Sequence, residues 1–380
     1  MSMPAAHLTT NPTLADLLQG FATAPAIEIR NISSDSRALK PGDLFLACGG
    51  ETSHGLDYVA DAVTAGVAAI AWDSSTAEAP AAEVGVPMIP VPDLAQHLGE
   101  IANRFFNRPS EQMHVVGVTG TNGKTTVAWL IAQCCELLGE SCGYVGTLGA
   151  GVGEVAGGEG MTTPGAVELH RNLADFRGAG ANWAAIEVSS HALSQGRVDG
   201  VTFDTVMFTN LSRDHLDYHG SMQRYFETKA RLFLDYPARY RIVNLDSEFG
   251  TELASRCGQD VVTVSTRFDR VANGRPFVFV RSVVADGTGS HVRVSSSWGE
   301  GHFDLSLPGD FNVANAVIVL AAMLQHGIPM TQACGALSAV SAPPGRMERV
   351  PSGDDSPSVY IDYAHTPEAV DVALRALRQH

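Results

Sequence analysis

The residues best suited to chemistry lie in one stretch, Gly117-Val118-Thr119-Gly120-Thr121-Asn122-Gly123-Lys124-Thr125-Thr126. The apolar run Met113–Val118 enters it and a helical pattern beginning at Val127 leaves it. Strand, glycine-rich loop, Lys-Thr and helix is a layout that binds phosphate. Glycines let backbone N–H groups close on phosphate oxygens, and the new helix adds its free N–H groups and positive dipole end. On this layout Gly120, Thr121, Asn122, Gly123, Lys124, Thr125 and Thr126 are expected to bind ATP. Lys124 would reach the β/γ-phosphates and the Thr125 hydroxyl would hold Mg²⁺. Val118 stands where the usual spacing has glycine, and Gly120 supplies one instead, which points to a particular branch of ATP users.

Other residues carry chemistry less plainly. Glu187 ends the apolar strand candidate Trp183–Val188, at the end where open α/β sheets place their ligands. His215 and His219 form an H-x-x-x-H pair, but a zinc protease needs Glu where this chain has Leu216. Lys229, flanked by Glu227 and Arg231 on a helical pattern, reads by itself as a solvated lysine. Asn312 suits a helix cap, and Arg346 follows Pro343-Pro344-Gly345.

The elements that must position these groups alternate strand and helix. Residues 1–110 read as a small α/β unit, with strands at Ile27–Ile32, Asp43–Cys48 and Val67–Trp72 and helices at Leu56–Ala65 and Asp93–Asn107. Asn107-Arg108-Pro109-Ser110 reads as a linker. Residues 111–345 read as a central domain with further strands at Gly143–Val145, Trp183–Val188, Thr205–Phe208, Arg241–Asn244 and Val261–Val264. The intervening helices imply a mostly parallel sheet. Phe277–Leu307 alternates as an antiparallel addition would, Asn312–His326 and Thr331–Leu337 read as helices, and Gly149–Gly160 reads as a mobile loop. Residues 346–380 give one strand, Val359–Asp362, and one amphipathic helix, Glu368–Arg378. These cannot make a core alone, so they read as the start of a third, Rossmann-like domain.

Composition narrows the function classes. The formal charge is −16 with no basic run, which disfavours nucleic acid and anionic membrane as partners. No secretory signal or membrane-length apolar run is visible, and six cysteines without CxxC spacing fit reduced thiols; a cytoplasmic protein is expected.

Thr162-Thr163-Pro164, Glu187-Val188-Ser189-Ser190-His191, Thr209–Gly220, Lys229 in Tyr225–Lys229, Phe311–Asn315, Gly345–Glu348 and Asp362–Pro367 join the phosphate loop in a set. Together, in this order, they closely resemble the Mur ligases, most of all the branch that adds a diamino acid. The resemblance implies an ATP-dependent ligase of peptidoglycan synthesis. It would join meso-diaminopimelate or L-lysine to UDP-N-acetylmuramoyl-L-alanyl-D-glutamate through an acyl phosphate. By the same resemblance Thr125, Glu187, His215 and Lys229 are metal ligands, Lys229 being carbamylated by CO₂ to N6-carboxylysine. Lys124, Glu187, His215 and Lys229 then form the catalytic set.

Asn312, Arg346 and Asp362 complete the implied ATP site, with His365 in the segment that leads on. Thr162, Thr163, Ser189, Gln195 and Arg197 are implied contacts of the muramyl-dipeptide. Ser34, Ser36, Glu51, Thr52 and Ser53 are implied contacts of its uridine nucleotide, which makes residues 1–110 the nucleotide-binding N-terminal domain. The chain is expected to lack most of the family's third domain, to act as a monomer, and to ligate weakly or not at all by itself. Two other readings stay open: binding of both substrates without turnover, and a folylpolyglutamate-type ligase.

Overall fold

In the computed structural model, which describes residues 11–50, 53–78, 84–158, 160–267, 274–287, 289–350, 358–365 and 367–379, the chain forms two compact units. The first comprises residues up to 112 with 164–179 and 195–201, and the second holds the remainder.

The first unit opens with α1 (Leu14–Leu18), started by a capping box. Thr13 Oγ1 accepts from the Asp16 N–H, and the Asp16 carboxylate accepts from the Thr13 N–H. β1 (Asn31–Ser33), β2 (Asp43–Ala47), α2 (Val59–Ala65), β3 (Ala69–Asp73), β4 (Met88–Val91) and α3 (Leu94–Phe105) follow. The four strands pair in parallel in the order β1-β2-β3-β4. β2 and β3 are buried at every position, as strands covered on both faces must be. The strand expected from Ile27 starts later, because Glu28 makes only an isolated bridge to Thr13 and pairing with β2 begins at Asn31. The helix expected from Leu56 opens with a 3₁₀ turn at Gly55–Tyr58 before α2. β4 is an addition to the strands expected from sequence. Its Pro90 argues against a central strand, and β4 is an edge.

The second unit begins with β5 (His114–Thr119), α4 (Lys124–Leu137), β6 (Cys142–Gly146), β7 (Gly149–Val152) and β8 (Ala156–Gly157). α5 (Ala166–Gly178) belongs to the first unit and packs on α3. Then come β9 (Trp183–Glu187), α6 (Ser190–Ser194), β10 (Phe203–Phe208), α7 (Leu216–His219), α8 (Met222–Leu234), β11 (Ala238–Asn244), α9 (Glu248–Arg256) and β12 (Val261–Ser265). β13 (Phe277–Asp286), β14 (Gly289–Ser296) and β15 (Gly299–Leu305) precede α10 (Asp310–Gln325) and α11 (Met330–Ala339). β16 (Glu348–Val350) and β17 (Val359–Ile361) form an antiparallel pair, and α12 (Pro367–Gln379) follows.

The large sheet has the order β15-β14-β13-β12-β11-β10-β5-β9-β6-β7-β8. From β13 to β6 it is parallel, and antiparallel strands extend it at both edges. The addition at Phe277–Leu307 matches the sequence pattern. The one at β7–β8 corrects the expectation of a loop over Gly149–Gly160. Glycine has little intrinsic strand preference, but the open edge of β6 offers a full ladder, from Gly143↔Val152 to Gly146↔Gly149. α10 is apolar on all sides over Ala316–Leu324 and buried along that whole run, as a helix inside a core should be. It packs on α4, β11, β12 and β13, fixing the helix that follows the phosphate loop. Among the described residues no helix is long and apolar enough to cross a membrane.

Candidate active site

Strand order reverses beside β5, which lies between β9 and β10 with its glycine-rich loop at the C-terminal end. Open α/β sheets bind ligands at such a switch point. Gly120 has φ +149°, and a Cβ there would lie 2.0 Å from Thr209 Oγ1, so this position accepts only glycine. The segment after β10 braces the loop. Thr209 Oγ1 donates to the Asn122 carbonyl (2.6 Å), Asn210 Oδ1 accepts from the Asn122 N–H (3.0 Å), and the Asn210 carbonyl accepts from the Thr121 N–H (2.9 Å). Thr121 Oγ1 accepts from the Ser212 N–H (3.0 Å) and lies 3.3 Å from the Tyr225 hydroxyl. Gly123 caps α4 in the left-handed conformation, and Thr125 and Thr126 are buried in its first turn.

Glu187, at the end of β9, is fully buried, and its carboxylate receives four hydrogen bonds. Oε1 accepts from the Tyr144 hydroxyl (2.5 Å) and the Thr147 N–H (2.9 Å), and Oε2 from the Thr125 (3.0 Å) and Thr147 (3.3 Å) hydroxyls. Burial and the Glu187 charge push the Tyr144 phenol far up, so it stays a donor. Gly146 leaves room for this cluster, since a Cβ there would lie 2.1 Å from Glu187 Oε1. Thr163 Oγ1 donates to the Glu187 carbonyl (2.7 Å) and lies 3.3 Å from Ser189 Oγ, while Thr162 Oγ1 lies 3.3 Å from the Thr147 hydroxyl.

Two lysines meet at one carbonyl. Lys124 Nζ donates to the Gly120 (3.0 Å) and Thr121 (2.9 Å) carbonyls, and Lys229 Nζ, from α8, donates to the Gly120 carbonyl (2.8 Å). Lys229 is 1% exposed, which overturns its reading as a solvated lysine. Burial, and next the Lys124 charge, hold its amine well below the usual lysine value. Burial lowers Lys124 as well. Lys229 Nζ also lies over the Tyr225 ring, 4.6 Å from its centroid. His215 is half exposed, caps α7 at φ +50°, and pairs with Asp214 at 3.4 Å. Its ring lies edge-on to His191, 5.0 Å away. The His219 N–H donates to the His215 carbonyl (3.0 Å), while its ring is buried with Nε2 2.9 Å from Ser190 Oγ.

The other expected residues are spread over both units. In the second, Asn312 donates to the Pro308 carbonyl (2.8 Å) at the start of α10, and the Arg346 guanidinium lies over the Tyr363 ring (4.4 Å). The Arg346 charge reaches Lys124 and Tyr144 and works to lower both. Asp362 accepts from the Met347 (2.9 Å) and Ala364 (2.9 Å) N–H groups, and His365 contacts the Tyr363 carbonyl (3.0 Å). In the first unit Ser34 and Ser36 flank Asp35, which pairs with Arg37 at 2.8 Å. There Ser53 accepts from the Tyr58 hydroxyl (3.3 Å), and Gln195 accepts from Arg197 Nε (2.9 Å). Glu51 and Thr52 lie outside the described residues.

Tyr144 and Thr147 do not stand out in the sequence. A tyrosine in an apolar strand reads as core, and only Gly146 beside it hints at a close approach. The donors on hand suit a hard divalent cation: a carboxylate and a hydroxyl from Glu187 and Thr125, 3.0 Å apart at a helix N-terminus built for phosphate.

Fold and site together define a phosphate-loop enzyme that uses a nucleoside triphosphate. Residues 118–323 match the Mur ligase middle domain, and residues 28–106 match the pattern described as Mur ligase family, catalytic domain. Among curated relatives, the UDP-N-acetylmuramoyl-L-alanyl-D-glutamate–2,6-diaminopimelate ligase of Ectopseudomonas mendocina is 43% identical over 360 residues, 94% of this chain and 72% of that protein. The ligase of the same name from Pseudomonas aeruginosa is 42% identical, over 93% of this chain and 71% of its own length. A solved structure of a ligase of that name matches with TM-score 0.82 and 28% identity, over 98% of this chain and 75% of that one. The chain belongs to the Mur ligase family, whose members are ATP-dependent enzymes that form amide bonds.

Proposed function

We propose that this protein joins 2,6-diaminopimelate to UDP-N-acetylmuramoyl-L-alanyl-D-glutamate at the expense of ATP, in the cytoplasmic stage of peptidoglycan precursor synthesis. The observation that carries this is the convergence of the phosphate loop, the buried Glu187–Thr125 pair and the buried Lys229 amine on one end of the sheet. Relatives that match over most of the chain bear the name of that activity.

A peptide carboxylate oxygen first attacks the γ-phosphorus and ADP leaves, giving an acyl phosphate; the amine then attacks its carbonyl carbon, phosphate leaves, and the amine's proton passes to solvent. The chain's part is to hold charge and geometry. Lys124 turns its Nζ from the loop carbonyls to the β/γ-phosphates, and the N–H groups of the loop and α4 take up further oxygens. Thr162, Thr163 and Ser189 hold the peptide carboxylate beside Glu187. Thr125 and Glu187 would hold one Mg²⁺, and His215 with Lys229, once carbamylated, would hold a second. When bound, Mg²⁺ neutralises the charge of the reacting oxygens.

Carbamylation needs an unprotonated amine. The Lys229 nitrogen forms a bond to the CO₂ carbon, one C=O electron pair moves to oxygen, and the proton released from the nitrogen passes to solvent. Its lowered proton affinity supplies that amine. Asn312, Arg346 and Asp362 complete the ATP site, and the first unit, with Ser34, Ser36 and Ser53, takes the uridine nucleotide. Residues 1–110, 111–345 and 346–380 then act as nucleotide-binding domain, ATP-binding domain and the start of a third.

The test is phosphate release from ATP and Mg²⁺ with UDP-N-acetylmuramoyl-L-alanyl-D-glutamate, comparing 2,6-diaminopimelate, L-lysine and no amine. This reading requires release that depends on 2,6-diaminopimelate, against the weak or absent ligation expected from sequence of these residues by themselves. Release with L-lysine instead would reassign the amine, and amine-independent behaviour throughout would overturn the reading.

A further inference from the structure

The N-terminal end of the large sheet gathers a different set of ligating side chains. His114 opens β5, Asp204 is the second residue of the neighbouring β10, and His326 caps the C-terminal end of α10. One ligand atom from each lies within 4.8 Å of the other two. His114 Nδ1 is 3.5 Å from Asp204 Oδ1, and His326 Nε2 is 3.0 Å from Asp204 Oδ2. We propose that His114, Asp204 and His326 bind one divalent transition metal of the zinc class, with a remaining position left to water.

The spacing fits such an ion. Ligand bonds of about 2.0–2.1 Å in a tetrahedral site put neighbouring donor atoms roughly 3.3 Å apart. Each imidazole lies near that distance from one oxygen of the Asp204 carboxylate, His114 from Oδ1 and His326 from Oδ2, and one ligand atom from each residue lies within 4.8 Å of the others. Two imidazoles with one carboxylate select zinc or nickel over magnesium and calcium, which take oxygen donors.

The frame is already built. β5 and β10 pair in parallel, with Thr205 opposite Val116, so Asp204 lies level with Val115, one residue along from His114 at the same end of the sheet. The His326 side chain is 7% exposed, with the Trp183 ring 4.5 Å and the Tyr240 ring 5.2 Å from its own. Thr205 Oγ1 lies 2.9 Å from His326 Nε2 and donates to Asp204 Oδ2 (3.4 Å). When Nε2 turns its lone pair to a metal, this hydroxyl stays on the carboxylate and orients it. The His114 side chain is 45% exposed, which opens a face to water. A bound ion would tie the first residues of two central strands to the end of the core helix. This site needs none of the groups assigned to ligation, so it stands or falls apart from that reading.

The test is a Co²⁺ and Zn²⁺ titration of the full chain, stripped of metal with chelator, beside His114→Ala and Asp204→Asn. Calorimetry and metal analysis give stoichiometry, and Co²⁺ absorption in the visible reports tetrahedral coordination. Because His191, His215 and His219, at the phosphate loop's end of the sheet, also offer imidazoles, the difference between proteins is what counts. Each variant is expected to hold one ion fewer, or to bind it more than about tenfold more weakly. Equal stoichiometry and affinity in all three proteins would overturn the proposal, and the half-exposed His114 makes His114→Ala decisive even if Asp204→Asn misfolds. Anomalous scattering from zinc-soaked crystals is an independent measurement: zinc between the three residues supports the site, and zinc elsewhere only overturns it.

Discussion

Replacing Tyr144 by phenylalanine removes one hydroxyl from the least accessible part of the site. The ring keeps its edge-on contact with Trp129, 5.6 Å away, so the change is confined to the oxygen. What is lost is a 2.5 Å donor to Glu187 Oε1, which keeps the Thr147 N–H at 2.9 Å, while Oε2 keeps its two hydroxyls. Hydrogen bonds to a charged group contribute about 1.5–3 kcal/mol, and Glu187 is fully buried. That is a factor of about 10–150 in an equilibrium constant. The measurement is a double-mutant cycle with Glu187→Gln in urea, following the transition that ATP shifts, because two units need not unfold together. A coupling energy above about 1 kcal/mol is expected between neighbours in one hydrogen-bond network. In turnover assays the Mg²⁺ concentration for half-maximal rate should rise roughly tenfold, as for a residue that orients a metal ligand. If the two single changes add within about 0.3–0.5 kcal/mol, Tyr144 does not hold Glu187 and the reasoning fails.

Three further outcomes follow from the geometry. Gly120→Ala drives a Cβ against Thr209 Oγ1 and imposes strain at φ +149°, so ATP affinity by calorimetry should fall more than about tenfold, a loss of roughly 1.4 kcal/mol or more; unchanged affinity would refute the tight fit. Lys229 has a folded value below its unfolded one of about 10.4, so the unfolded chain binds the extra proton and stability rises with pH between those two values. In CO₂-free buffer Lys229→Met should therefore flatten that slope and raise stability at neutral pH, whereas parallel curves would contradict it. His291 is held above its ordinary value by the side chains of Asp304 (2.7 Å) and Asp286 (2.8 Å), so its share of stability is present at low pH and is lost as pH rises through the folded value. NMR titration should show Asp304→Asn moving it down, and no movement would rule out the contact.

The parallel core and the phosphate loop are legible in the sequence because the physics is local. Met113–Val118 is a mainly apolar run, interrupted by His114, into a glycine-rich turn, and Glu187 is an acid at a strand end. What is not legible depends on partners distant in sequence. Lys229 looks solvated until α8 packs its amine against the Gly120 carbonyl. Tyr144 looks like core until β9 brings Glu187 beside it. The β7–β8 ribbon looks like a loop because its glycines carry no strand signal and the ladder of β6 decides the matter. His114, Asp204 and His326 share no motif; only the pairing of β5 with β10 and the length of α10 bring them together.

The eleven-stranded sheet is open, so its two margins could recruit strands from other chains. One margin is β8, only two residues long and turned by Gly157 at φ +82°, which offers too little ladder to seed pairing. The other is β15, where Glu300 and Asp304 are exposed and α11 lies alongside. Short length at one margin, and acidic charge with a covering helix at the other, deter the edge-to-edge stacking that leads to aggregates. The additions that flank the catalytic core thus also leave little free ladder on which the strand of another copy could pair.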